Sequence, residues 1–121
     1  MTNEIQNQNK KKYDLKERTS EFGKEVILFV KELSFNPINT PIISQLVRSA
    51  TSIGANYMEA DAAESKKDFQ HKIGISKKEA KETLHWLQMI TIANPSTKQK
   101  VKSLYQESHE LVLIFSAILR K

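Results

Sequence analysis

Four stretches of this chain carry apolar residues at alternating steps of three and four, and short links rich in Pro, Asn or Ser separate them. That step pattern gathers the apolar residues of an α-helix into one stripe. Four such stripes joined by short links are best buried against one another, as in a helix bundle. The first stripe is Leu15, Phe22, Val26, Phe29, Val30 and Leu33. The second is Ile43, Leu46, Ala50, Ile53, Tyr57 and Ala60. The third runs Phe69, Ile73, Ser76, Ala80, Thr83 or Leu84, Leu87 and Ile90, and the fourth runs from Val101 through Leu104, Ser108, Leu111 and Phe115 to Leu119. Pro37 and Pro41 stop the first helix, because proline removes a donor and clashes with the preceding turn. Thr40 is the expected N-cap of the second helix, with Pro41 at its first position. Ser65 with Asp68 three places on reads as the cap of the third. The expected helices are about 14–34, 41–63, 65–93 and 96–120. Short connections set neighbouring helices antiparallel, so the fold class is all-α, an antiparallel up-and-down four-helix bundle over residues 13–121.

Composition narrows the function classes. The chain has 121 residues, enough for one domain with its own core. It has three Gly and three Pro, which suits long helices. It has no cysteine, so thiol catalysis, disulfides and Cys-based zinc sites are excluded and a reducing cytoplasm is the expected location. The formal charge of +5 favours anionic partners at encounter. No apolar run reaches the roughly 18–20 residues that span a bilayer, so no membrane is expected as a partner. Residues 1–12 are polar and end in Lys10, Lys11 and Lys12. They read as a disordered basic arm, not a secretory signal.

No catalytic motif is present: neither a phosphate loop, a nucleophile elbow nor an HExxH pair. A carboxylate-bridged dimetal bundle needs Glu-x-x-His on two helices. Glu82 precedes His85 by three, but Gln106 stands three before His109. His71 and His85 are four turns apart, about 21 Å along one helix, and cannot share an ion within one subunit. No catalytic residue, metal or cofactor is therefore expected.

Two surfaces invite a role. On the second helix, Gln45, Arg48, Ser49, Ser52, Asn56 and Glu59 lie away from the apolar seam, with only Arg48 and Glu59 charged. A solvated face accounts for such residues equally well. The low charge and the flanking small residues, among them Ala50, Gly54 and Ala55, favour a structural or subunit-interface face instead. On the third helix, Lys67, His71, Lys78, Lys81 and His85 fall within about 80° of one another at 100° per residue. With Lys10 to Lys12 they make a candidate nucleic-acid surface. The simpler reading is a soluble face, since Asp68, Glu79 and Glu82 interrupt the lysines. Trp86 lies about 100° off the core stripe and is expected as a half-buried anchor at a helix or subunit contact.

The run from Gln45 to Ala60 resembles the signature of a bacterial family, the four-helix-bundle proteins of 23S rRNA intervening sequences, misleadingly labelled ribosomal proteins. Its outline is Gln-Leu-x-Arg-Ala-x-x-Ser-Ile-x-x-Asn-Ile-Ala-Glu-Gly. Arg48, Ser52, Ile53, Asn56 and Glu59 fall on matching positions, while Tyr57-Met58 replaces Ile-Ala and Ala60 replaces Gly. Ser65 to Phe69 and Ala80 to Leu87 are similar to the family's third helix. The resemblance spans about residues 14–119. It implies a four-helix subunit, a ring-like homopentamer, and kinship with the accessory protein of diversity-generating retroelements, a basic pentamer that works with a reverse transcriptase and RNA. It implies no assigned activity. The expected function is thus a non-enzymatic oligomer that binds RNA or DNA nonspecifically through its basic surface. The alternative is a scaffold or adaptor for a protein partner, with no nucleic-acid role.

Overall fold

The computed structural model describes residues 14–121, and Lys10, Lys11 and Lys12 lie outside the described residues. Those residues form four α-helices and no strand: α1 Leu15–Val30, α2 Asn39–Asp61, α3 Lys66–Ala93 and α4 Lys98–Leu119. A 3-10 turn, Pro95–Thr97, leads into α4.

Local chemistry sets the ends. The Asp14 carboxylate accepts the Glu17 amide at 3.1 Å and opens α1. α1 stops at Val30, short of the expected residue 34, and its last turns close with Lys31, Glu32 and Leu33 donating to Ile27, Phe29 and Val30. α2 begins at Asn39, not at Pro41. The reason is Asn36, whose side-chain oxygen accepts the amides of Ile38 at 3.0 Å and Asn39 at 2.7 Å. Asn36 thus takes the capping role expected of Thr40. Pro41 becomes the third helical residue, where an amide would still lack an intrahelical partner. Ser65 accepts the Asp68 amide at 3.0 Å and starts α3.

The buried apolar residues follow the stripes: Phe22, Val26, Leu46, Ile53, Ile73, Leu87, Leu104, Leu111 and Phe115 are almost wholly enclosed. Tyr57 is half-buried, with its ring 6.3 Å from that of Phe115. Contacts connect α1 with α2, α2 with α3, α3 with α4, and α4 with α1, the last pair being the loosest. α1 and α3 therefore sit diagonally across the bundle, as do α2 and α4.

Hydroxyls share the interior with the apolar groups. Ser76 donates to the Ile53 carbonyl at 3.0 Å, joining α3 to α2. Ser108 donates to the Ala80 carbonyl at 2.9 Å, joining α4 to α3. Thr83 donates to the Ser49 hydroxyl at 2.9 Å. Small side chains let the backbones approach closely enough for these bonds. At Gly54 the approach is tightest, because an added Cβ would lie 3.3 Å from the Thr19 hydroxyl.

Two links outside the apolar core close the structure. Asn39, 2% exposed, exchanges amide hydrogen bonds with Asn94 at 3.1 and 2.9 Å and donates to the Ser34 carbonyl at 2.9 Å. This ties the α1–α2 link to the α3–α4 link. Between α1 and α4, the Arg18 guanidinium meets Glu107 through two bonds of 2.7 and 2.9 Å, and Glu110 at 3.1 Å. These carboxylates, Glu107 foremost through its hydrogen bond, hold the Arg18 pKa above its ordinary value against the opposing effect of burial.

Candidate nucleic-acid interface

The outer face of α3 is set by the packing of its other side. Ile73, Ser76, Ala80, Thr83 and Leu87 point into the core, so residues half a turn away point out. Lys67, His71, Lys78, Lys81 and His85 are all exposed there. Among the described residues, none of Lys67, Lys78 and Lys81 is ion-paired.

The acidic residues expected to interrupt this stripe mostly do not. Glu79 is buried, and its carboxylate accepts from Arg48 of α2 at 3.0 Å. Glu82 also lies against Arg48. Both carboxylates are drawn toward α2 and partly neutralised there. Only Asp68, at the start of the helix, remains exposed beside the lysines.

The same pairing corrects the picture of α2. Its six polar residues were expected to face away from the seam, but Ser49 is fully buried and receives the Thr83 hydrogen bond. Arg48 bridges to Glu79 and Glu82, and Glu59 accepts from Lys72 of α3 at 2.9 Å. Lys72 is held above its ordinary pKa by that hydrogen bond and by the Glu59 charge. Ser52 donates to the Arg48 carbonyl and Asn56 to the Ser52 carbonyl, both within α2. Gln45 accepts from the Arg48 side chain at 3.2 Å. The arc therefore turns toward α3, and its two charges serve the α2–α3 seam within one chain.

Trp86 is half-buried and packs on the edge of the core, edge-on to His85 with ring centroids 4.7 Å apart. Its indole N–H is enclosed and has no hydrogen-bond partner among the described residues.

One feature was missed from the sequence. Between the end of α3 and the start of α4 lies a groove of about 580 Å³, lined by Met89, Ile92, Val101 and Tyr105 and bordered by Lys98 and Lys102. Ile92 is 73% exposed beside it. The signal was available, since Met89 and Ile92 continue the outer-face positions of His85 at steps of four and three. The basic stripe thus runs into an apolar end. No described helix is long and apolar enough to cross a membrane.

The family whose model matches residues 11–117 is described as 23S rRNA-intervening sequence protein. The chain is also similar to a crystal structure described as a protein with unknown function from the S23 ribosomal protein family of Bacteroides thetaiotaomicron. The two are 31% identical, with a TM-score of 0.77, covering 88% of this chain and 98% of that one. No curated protein matches.

Proposed function

The chain belongs to the 23S rRNA-intervening sequence protein family, and on that footing we propose that it is a non-enzymatic accessory protein that holds RNA or DNA nonspecifically on the outer face of α3. In this reading the subunit is an antiparallel up-and-down bundle that works as a homo-oligomer, a pentameric ring. The observation that carries it is the row of exposed Lys67, His71, Lys78, Lys81 and His85 on one helix face, with Glu79 and Glu82 turned aside by Arg48. Such a row meets phosphates through charge and does not read bases, so binding is tolerant of sequence and sensitive to salt.

Three lysine–phosphate contacts per subunit give a slope of about −2 to −3 in log affinity against log salt. Raising salt from about 50 to 200 mM then weakens binding about 20- to 40-fold per subunit engaged. A titration of structured RNA against wild type and Lys67→Glu/Lys78→Glu/Lys81→Glu tests this. The expected result is binding by wild type at low salt and its loss in the variant. Absence of wild-type binding at low salt rejects the reading.

A second reading has its own observation. The apolar groove at Met89 and Ile92 favours a protein contact, as in a scaffold or adaptor. Nuclease treatment before a pull-down separates the two: a scaffold keeps its protein partner, and a nucleic-acid accessory loses what RNA had bridged.

A further inference from the structure

The subunit carries two unpartnered surfaces of different chemistry, one on either side of α4. One is the groove between α3 and α4, where Met89, Ile92 and Tyr105 form an apolar floor and Lys98 and Lys102 stand on the border. The two lysines lie in the first turns of α4 and are four residues apart, so they share a side. They also sit at the positive end of the helix dipole, where cations are disfavoured and a nearby carboxylate is favoured. No acidic residue occupies the first turn of α4 to answer them.

The other face is the outside of α1. Glu17, Glu21, Glu25 and Leu28 fall within about 80° of one another at 100° per residue. Glu17 and Glu25 are exposed, and Leu28 is 61% exposed among them. Glu107 and Glu110 of α4 adjoin Glu21 and Glu25 across a shallow cleft, where Arg18 offsets part of their charge through its ion pairs with Glu107 and Glu110. Lys24 offsets part of the Glu21 charge through its contact at 3.4 Å. The two surfaces flank α4 and meet at Gln106, which lines both the groove and the acidic cleft, so they lie side by side around the bundle.

We propose that the α3–α4 groove of one copy receives the outer face of α1 from a second copy, with Leu28 seated near Met89 and Ile92 and the α1 carboxylates beside Lys98 and Lys102. This rests on the oligomer part of the proposed function and supplies the two surfaces for it. The contact is head-to-tail: each copy uses one face to give and the other to receive. Such a contact repeats until it closes as a ring or grows as a filament. It leaves Lys67, Lys78 and Lys81 outside the joint, so assembly and phosphate binding use different parts of α3. A second copy suits the groove because this chain itself supplies the matching combination: an apolar side chain flanked by carboxylates on a helix.

The test is charge exchange in the full chain, read as mass by sedimentation, with helicity followed by circular dichroism. Wild type is expected to sediment as an oligomer. Lys98→Glu/Lys102→Glu and Glu21→Lys/Glu25→Lys are each expected to fall to the monomer mass. All four substitutions in one chain restore opposite charges across every joint and are expected to recover the oligomer. Where Glu21→Lys/Glu25→Lys loses helicity, Leu28→Ser probes the same face and is expected to weaken assembly while staying folded. Helical double variants that keep the wild-type mass overturn the two faces while leaving the oligomer standing. A helical fourfold variant that stays monomeric overturns them too. A wild type that is monomeric at every concentration overturns both the faces and the oligomer, and leaves the groove to a different protein.

Discussion

Arg18 offers the sharpest quantitative test of how this bundle closes. Its side chain is 8% exposed, and Glu107, its two-bond partner, is 24% exposed. Removing one member of a fully buried ion pair costs about 3–5 kcal/mol, because the other charge is left in a poor solvent. Glu107 keeps a quarter of its exposure, and Glu110 remains nearby, so Glu107→Ala is expected to cost about 2–3 kcal/mol. Glu110 is 61% exposed, so Glu110→Ala is expected to cost at most about 1 kcal/mol. At about 2.1 cal/mol/K per residue, 121 residues have an unfolding entropy near 0.25 kcal/mol/K. Glu107→Ala then lowers Tm by about 8–12 °C. The assay is thermal unfolding followed by circular dichroism at one fixed protein concentration, which holds constant any effect of the proposed assembly on Tm. Replacing both partners, as Arg18→Met/Glu107→Leu, removes the charges together and is expected to return stability to within about 1 kcal/mol of wild type. A loss below about 0.5 kcal/mol for Glu107→Ala, typical of an ordinary surface site, would refute the claim that this pair is held out of water. So would additivity of Arg18→Ala and Glu107→Ala within about 0.3 kcal/mol, the mark of independent sites.

Other outcomes follow from the same structure. Asn39→Ala removes both amide bonds to Asn94 and strands the Ser34 carbonyl, and should cost about 1–3 kcal/mol in chemical denaturation. Gly74→Ala meets nothing within 4 Å in mid-helix and should stabilise by about 0.5–1 kcal/mol, whereas Gly54→Ala crowds Thr19 and should gain less or lose in the same assay. The Tyr57 phenol is pushed up by burial first and then by the charges of Asp61 and Asp14. Its folded pKa exceeds its unfolded one, so its stabilising contribution is full below the unfolded pKa and is lost as pH rises through the folded value. An ultraviolet titration should show one tyrosine ionising above the ordinary range, and Tyr57→Phe should remove that step and blunt the alkaline loss of stability.

The helices and the core were largely legible in the sequence because burial follows the three-and-four step. Phe22, Leu46, Ile73, Leu87, Leu111 and Phe115 all sit where that step puts them. The start of α2 was less legible, because Asn36 competes with Thr40 for the cap and three-residue offsets fit both. The charged interior was not legible at all. Arg18 and Glu107 are 89 residues apart, and nothing local marks them as partners. Glu79 and Glu82 looked like breaks in a basic stripe because a helix wheel gives angles but does not say which side a neighbour occupies. Once α2 lies on that side, Arg48 takes both carboxylates and the stripe is clearer than its sequence implied. Ser49 was misplaced for the same reason: its angle borders the seam, and Thr83 decides that it belongs inside.

The interior hydroxyls have a consequence for how the helices can slide. An apolar seam repeated every turn is nearly indifferent to a shift of one turn along its axis, since each Leu or Ile finds another hole much like the first. Ser76 and Ser108 break that indifference. Each donates to one carbonyl on a neighbouring helix, Ile53 and Ala80. A one-turn shift of about 5.4 Å carries each hydroxyl away from its acceptor and forfeits the interhelical bond, leaving only a carbonyl of its own helix to receive the proton. The two serines therefore act as axial stops, one between α2 and α3 and one between α3 and α4, and they fix the height at which Arg48 meets Glu79.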